Sequence, residues 1–179
     1  NPVGLAPQES QNRAAQHLTT REEARVEKAL WTGDLGNVPN FAGANGYAAP
    51  ANAGSFPIAE AWNAVAAIEQ EIAETYGSVG VIHMSREVAT MLTKLGKLEV
   101  KGTRLQTPLQ TPVVAGTGYG SDKIVGTPAI FGYRGAINTY ATPGALLERG
   151  QNTLHLVADR DYLIAFDPCG VVSATLTTP

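Results

Sequence analysis

The residues best suited to chemistry in this chain are three histidines, a loose group of aspartates, one serine, one cysteine and a glycine-rich stretch. His17, His83 and His155 are candidate metal ligands or bases, but no two stand at the short spacings that put ligands on one face of a helix or hairpin. His83 falls inside an apolar run and His155 alternates within another, so each is read as a hydrogen-bonded structural histidine. Asp159, Asp161 and Asp167 surround Arg160, where paired carboxylates could do acid/base or cation-binding work. Spaced across strand-connecting turns, they read instead as turn formers and surface ion pairs. Ser85, between Met84 and Arg86, lacks the Gly-x-Ser-x-Gly elbow of a nucleophile and fits a helix cap. Gly116-Thr-Gly-Tyr-Gly-Ser-Asp-Lys123 has the glycines of a phosphate loop without its Gly-Lys-Ser/Thr ending, and is expected to be a mobile turn between strands. The single Cys169 has no partner for a disulfide or a metal and reads as an ordinary buried thiol in a reducing compartment. From these residues we expect no catalytic site, no metal and no cofactor.

The elements that must position these groups are bounded by composition. With 179 residues, 44% of them hydrophobic, the chain can bury about two-thirds of its unfolded surface. Thirteen Lys and Arg stand against sixteen Asp and Glu, a net charge of -3 with the cations scattered, so no tight grip on a phosphate backbone is expected. No apolar run has the length of a membrane span and no signal peptide opens the chain, which is therefore expected to be soluble. An opening Asn1 in place of Met leaves room for a longer polypeptide upstream.

Charged and apolar residues alternate from Gln11 to Trp31 in a helical pattern. Thr20 and Glu23 fit a capping box, although the helix could also run through from Gln8, and Gly33 ends it either way. Its charges are read as a solvated face. Gly33 to Ser55 reads as a connector between two subdomains, long for a loop. Pro57 opens an amphipathic helix on Ile58, Trp62, Val65, Ile72 and Tyr76, with Gly77 as terminator. Val79 to Met84 reads as a strand, and Arg86 to Leu95 as a helix stopped by Gly96. Nine short strands follow between Leu98 and Leu176, the last three expected to form an antiparallel meander.

The order of these pieces resembles that of tailed-phage major capsid proteins, the Hong Kong 97-like fold shared with encapsulin shells. A charged helix ends in Val26-Glu-Lys-Ala-Leu-Trp-Thr-Gly-Asp. Gly80-Val-Ile-His-Met-Ser-Arg-Glu-Val-Ala is similar to that family's strand-then-helix step. Leu109-Gln-Thr-Pro-Val-Val-Ala-Gly, Gly126-Thr-Pro-Ala-Ile-Phe-Gly-Tyr and Arg160-Asp-Tyr-Leu-Ile-Ala-Phe-Asp-Pro are similar to its later strands. The resemblance spans about Glu22 to Leu176.

It implies an α+β chain with a spine helix and peripheral antiparallel sheet, plus an axial domain of helices on a mixed sheet. Residues 1–40 would supply the spine, 41–144 mainly the axial domain, and 145–179 the return strands. The implied function is structural: a major capsid subunit whose copies assemble as pentamers and hexamers of an icosahedral shell, enclosing double-stranded DNA without sequence-specific binding. The implied location is the virion capsid, assembled in the bacterial host cytoplasm. Trp62 and Arg160 are expected near subunit contacts. The family's N-terminal arm and extended loop have no counterpart here, so the chain is a fragment or processed form, or it matches the fold's core only. An encapsulin shell and, from another class, a small hydrolase or ligand-binding domain are the alternatives.

Overall fold

The computed structural model describes residues 7–43, 50–141 and 156–177. It is an α+β structure that divides into two compact units, Asn1–Glu23 with Gly132–Leu163, and Ala24–Phe131 with Ile164–Pro179. Three α-helices are described: α1 (Pro7–Thr32), α2 (Ala61–Tyr76) and α3 (Arg86–Lys94). The strands are β1 (Ala51–Pro57), β2 (Val81–Ser85), β3 (Glu99–Lys101), β4 (Arg104–Gln106), β5 (Pro112–Gly116) and β6 (Lys123–Thr127), then β7 (Phe131–Arg134), β8 (Asn138–Ala141), β9 (Leu156–Asp159), β10 (Tyr162–Ala165) and β11 (Val172–Thr177).

The second unit is built on a seven-stranded mixed sheet in the order β1-β11-β6-β2-β5-β4-β3. Strand alternation gives it two apolar faces. Ile82 and Met84 of β2, Ile124 of β6, and Val172, Ala174 and Leu176 of β11 pack under α2 and α3, joined by Ile68, Ile72, Val88 and Leu92 from the helices. Val125 points the other way, into a smaller core with Leu30, Trp31, Phe41, Tyr119, Phe166 and Val171. The centre of the sheet, β2 and β6, is thus covered on both faces, as its nearly continuous apolar runs require, whereas β3 to β5 leave residues such as Val100 and Val114 exposed.

Helix α2 ends where Gly77 takes a left-handed φ of 63° and its amide bonds the Ala73 carbonyl, as its sequence position predicts. Ser85 caps α3 by accepting the Val88 N–H at 3.3 Å. The capping box at Thr20 is not used. Helix α1 runs through, and the hydroxyls of Thr19 and Thr20 turn back onto the carbonyls of Ala15 and Gln16.

Two expectations need correction. The region Gly33–Ser55 is not all connector, because β1 forms within it and pairs in parallel with β11 from Ala51↔Val172 to Pro57↔Thr177. The last three strands do not form a meander: β9 pairs with β8, β10 with β7, and β11 joins the large sheet between β1 and β6. Chain neighbours lost to distant partners because β11 carries buried residues that fill the helix-covered core, whereas β9 and β10 alternate half-buried and exposed.

In the first unit, β8 and β9 form an antiparallel ribbon from Asn138↔Asp159 to Ala141↔Leu156. Strands β7 and β10 form a second two-stranded sheet. Ribbons this narrow are marginal alone in water.

Candidate functional site

The glycine-rich segment after β5 is a packed turn rather than a mobile one. Its Tyr119 is buried and stacks on Trp31 with ring centroids 4.9 Å apart. Gly118 donates its amide to Glu27 Oε2 at 2.8 Å, so the anion held by this loop is the chain's own carboxylate. A Cβ at Gly118 would collide with the Ala24 carbonyl of α1, which accounts for the glycine there. Next to it, Ser121 donates to Glu87 at 2.9 Å and accepts from the hydroxyl of Ser85 at 2.9 Å. Ser85 therefore serves the α3 cap and this chain of hydroxyls, and among the described residues no imidazole is bonded to it.

His83 is delivered by β2 to the face opposite the helices. Its Nε2 lies 3.0 Å from Thr127 Oγ1 and its Nδ1 3.3 Å from the Tyr119 hydroxyl. Because Thr127 donates its own hydrogen to the Pro128 carbonyl at 2.9 Å, Nε2–H is the donor to Thr127 and Nδ1 accepts from Tyr119. Burial pushes the imidazole's pKa down to about 3, keeping it neutral. This is the structural histidine that the apolar run predicts. Below pH 6.5 the unfolded chain takes up a proton that folded His83 refuses, so stability falls as pH drops and levels off only near pH 3. We expect a loss of about 2 kcal/mol between pH 8 and pH 5 from this group alone. Chemical denaturation across that range should show a flatter slope for His83→Gln, and identical slopes would refute the assignment.

The aspartates do not converge. Asp159 accepts from the Tyr140 hydroxyl at 2.7 Å, Asp167 accepts from the Cys169 amide at 2.9 Å, and Asp161 uses its backbone carbonyl to hold the Gly135 amide at 2.9 Å. A hydrogen bond from Tyr76, then that from Cys169, holds the Asp167 carboxyl below the usual range. Arg160 pairs with none of its neighbours in sequence: its Nη1 lies 3.1 Å from Glu22 Oε1 of α1, which also takes Nη2 of Arg134. Cys169 is exposed, not buried, since the short 3-10 turn Pro168–Gly170 lifts it outward. His17 is exposed on α1, and His155 lies outside the described residues.

Trp62 is 42% exposed and borders a recess of about 200 Å³ with Val65, Leu92, Leu98 and Leu109. The Lys97 ammonium sits 4.9 Å from its ring centroid. The narrow ribbons expose a group of large apolar side chains, Phe131 (73%) and Tyr133 (68%) on β7 and Leu163 (67%) on β10, with Tyr140 and Val157 on β8 and β9; Leu35, Val79 and Val100 are exposed singly elsewhere. Glu22 and Tyr119 escaped the reading of the sequence. Glu22 stands four residues from both Leu18 and Val26, on the half-buried stripe of α1, and that spacing was the available signal.

No family model matches this chain, and no curated protein matches it significantly.

Proposed function

We propose that this chain is a structural shell subunit of the tailed-phage major capsid type, whose copies close into an icosahedral head around double-stranded DNA. The observation that carries this reading is the display of Phe131, Tyr133, Tyr140, Val157 and Leu163 on two-stranded ribbons. Apolar side chains on strands this narrow seek a partner surface, and a subunit that makes several modest contacts at once gains stability from all of them together. The long helix α1 and the helix-covered mixed sheet are compatible with the resemblance, although β11 joins that mixed sheet and not a separate peripheral one. Both ring nitrogens of His83 are engaged in the core and the aspartates hold local partners, which favours the structural reading over a hydrolase. None of the helices among the described residues is long and apolar enough to cross a membrane.

The test is what purified particles enclose. Nuclease-protected DNA inside closed particles is expected. A protein cargo instead would assign the chain to an encapsulin shell, and hydrolytic turnover by a monomer would replace the proposal altogether.

A further inference from the structure

Charge is segregated within the second unit. The segment from Ile58 to Tyr76 carries Glu60, Glu69, Glu71 and Glu74 and no Lys or Arg. From Arg86 to Arg104 the balance reverses, with Arg86, Lys94, Lys97, Lys101 and Arg104 against Glu87 and Glu99. Beside α3 lies an open groove of about 500 Å³, floored by Ala89, Leu105 and Ala115 and rimmed by Arg86 and Lys94. Thr90 and Thr93 line it too, but their hydroxyls are spent on the carbonyls of Arg86 and Ala89. Neither rim cation has a carboxylate partner among the described residues.

The placement of the two charged surfaces shows what can fill the groove. Helix α2 packs on β1, β11 and β6, and α3 on β2 and β5. Residues of β4 and β5 line the groove, so in the strand order it lies on the far side of α3 from α2. On α2 the flank toward α3 carries Trp62 and Glu69, which share the recess with Leu92, and Glu69 is held there by the Thr107 hydroxyl at 2.6 Å. Ala67, Glu71 and Glu74, spaced by four and three, form a separate stripe on the opposite flank, and Glu60 stands just before the helix as its N-cap. A molecule's acidic stripe and basic groove thus face opposite ways and cannot meet each other.

We infer that the groove beside α3 receives the Ala67–Glu71–Glu74 stripe of a second copy of this chain. The contact is head-to-tail: each copy offers the stripe on one side and the groove on the other, the arrangement that builds rings where the rotation between copies closes. Ala67 in the stripe and the alanines of the floor permit close approach, while Arg86 and Lys94 meet the carboxylates at the rim. This names the contact by which the proposed shell subunits associate, and it rests on that reading.

Two charge-reversed variants test it, Glu71→Lys/Glu74→Lys and Arg86→Glu/Lys94→Glu. All four residues lie on the surface or at its margin, so both variants should keep the circular dichroism and melting behaviour of the wild type. In sedimentation velocity each variant alone should need a concentration at least about tenfold higher than wild type to assemble. An equimolar mixture should recover assembly into even-membered rings such as hexamers, because the all-positive and all-negative copies complement each other in alternation. Variants that assemble like wild type, or a mixture no better than its components, would overturn the inference while leaving the shell reading intact. If Arg86→Glu/Lys94→Glu weakened binding to a DNA duplex without changing assembly, the groove would belong to nucleic acid and the inference would again fail. A wild-type chain that stays monomeric throughout would remove both.

Discussion

Replacing Phe41 by alanine is expected to lower the unfolding free energy by about 3–5 kcal/mol, the range for removing a fully buried aromatic from a core that cannot collapse around the gap. Phe41 has no exposed surface. Its ring is 5.0 Å from that of His83, 5.5 Å from Phe166 and 6.3 Å from both Trp31 and Tyr119, so it is surrounded by rigid rings with little freedom to move inward. Its backbone is fixed as well, with the amide donating to the Leu30 carbonyl at 2.7 Å and the carbonyl accepting from Lys123 Nζ at 3.2 Å. Burial lowers the pKa of that lysine, with Asp122 opposing. Phe41→Leu keeps most of the volume and should cost about 1–2 kcal/mol. Equilibrium unfolding in urea, followed by tryptophan fluorescence through Trp31, would measure both. A loss under about 1 kcal/mol for the alanine variant would mean that this core is looser than the packing described.

Glu22→Ala should be comparably damaging in the first unit. Glu22 and Arg160 are both nearly buried, with side-chain exposures of 6% and 10%. Removing the carboxylate strands the Arg160 guanidinium in a poorly solvated place, which typically costs about 3–5 kcal/mol. Arg134 is half exposed, so its share of the pairing is small. Glu22→Gln keeps an acceptor for Arg160 and should lose less than the alanine variant. Hydrogen exchange resolved by residue would show the effect as faster exchange in β7 and β10, and unchanged protection there would contradict the role given to Glu22.

The sequence announced its elements wherever local chemistry and packing agree. Gly77 and Gly33 end helices, Ser85 caps one, and the strands from β3 to β8 fall within a few residues of their apolar runs. It misled where tertiary partners decide. Strand β1, Ala-Asn-Ala-Gly-Ser-Phe-Pro, has no β-branched residue and exists because β11 offers its edge. The meander failed for the same reason, since pairing partners are chosen by which face must be covered. Of the two expected contact residues, Trp62 sits half exposed on a recess, and Arg160 commits its guanidinium to Glu22 within the chain. No local pattern links positions 22 and 160; only the burial of Glu22, hidden in its helical spacing with Leu18 and Val26, hinted that a distant cation was needed. The groove beside α3 was likewise invisible, because its floor combines a helix with two strands and its rim cations look like ordinary surface charges.

If the chain works, as proposed, by associating with copies of itself, light scattering coupled to size-exclusion chromatography should show a mass that climbs with concentration through five- and sixfold assemblies to closed particles. A single species at the monomer mass across the accessible concentration range would contradict that proposal.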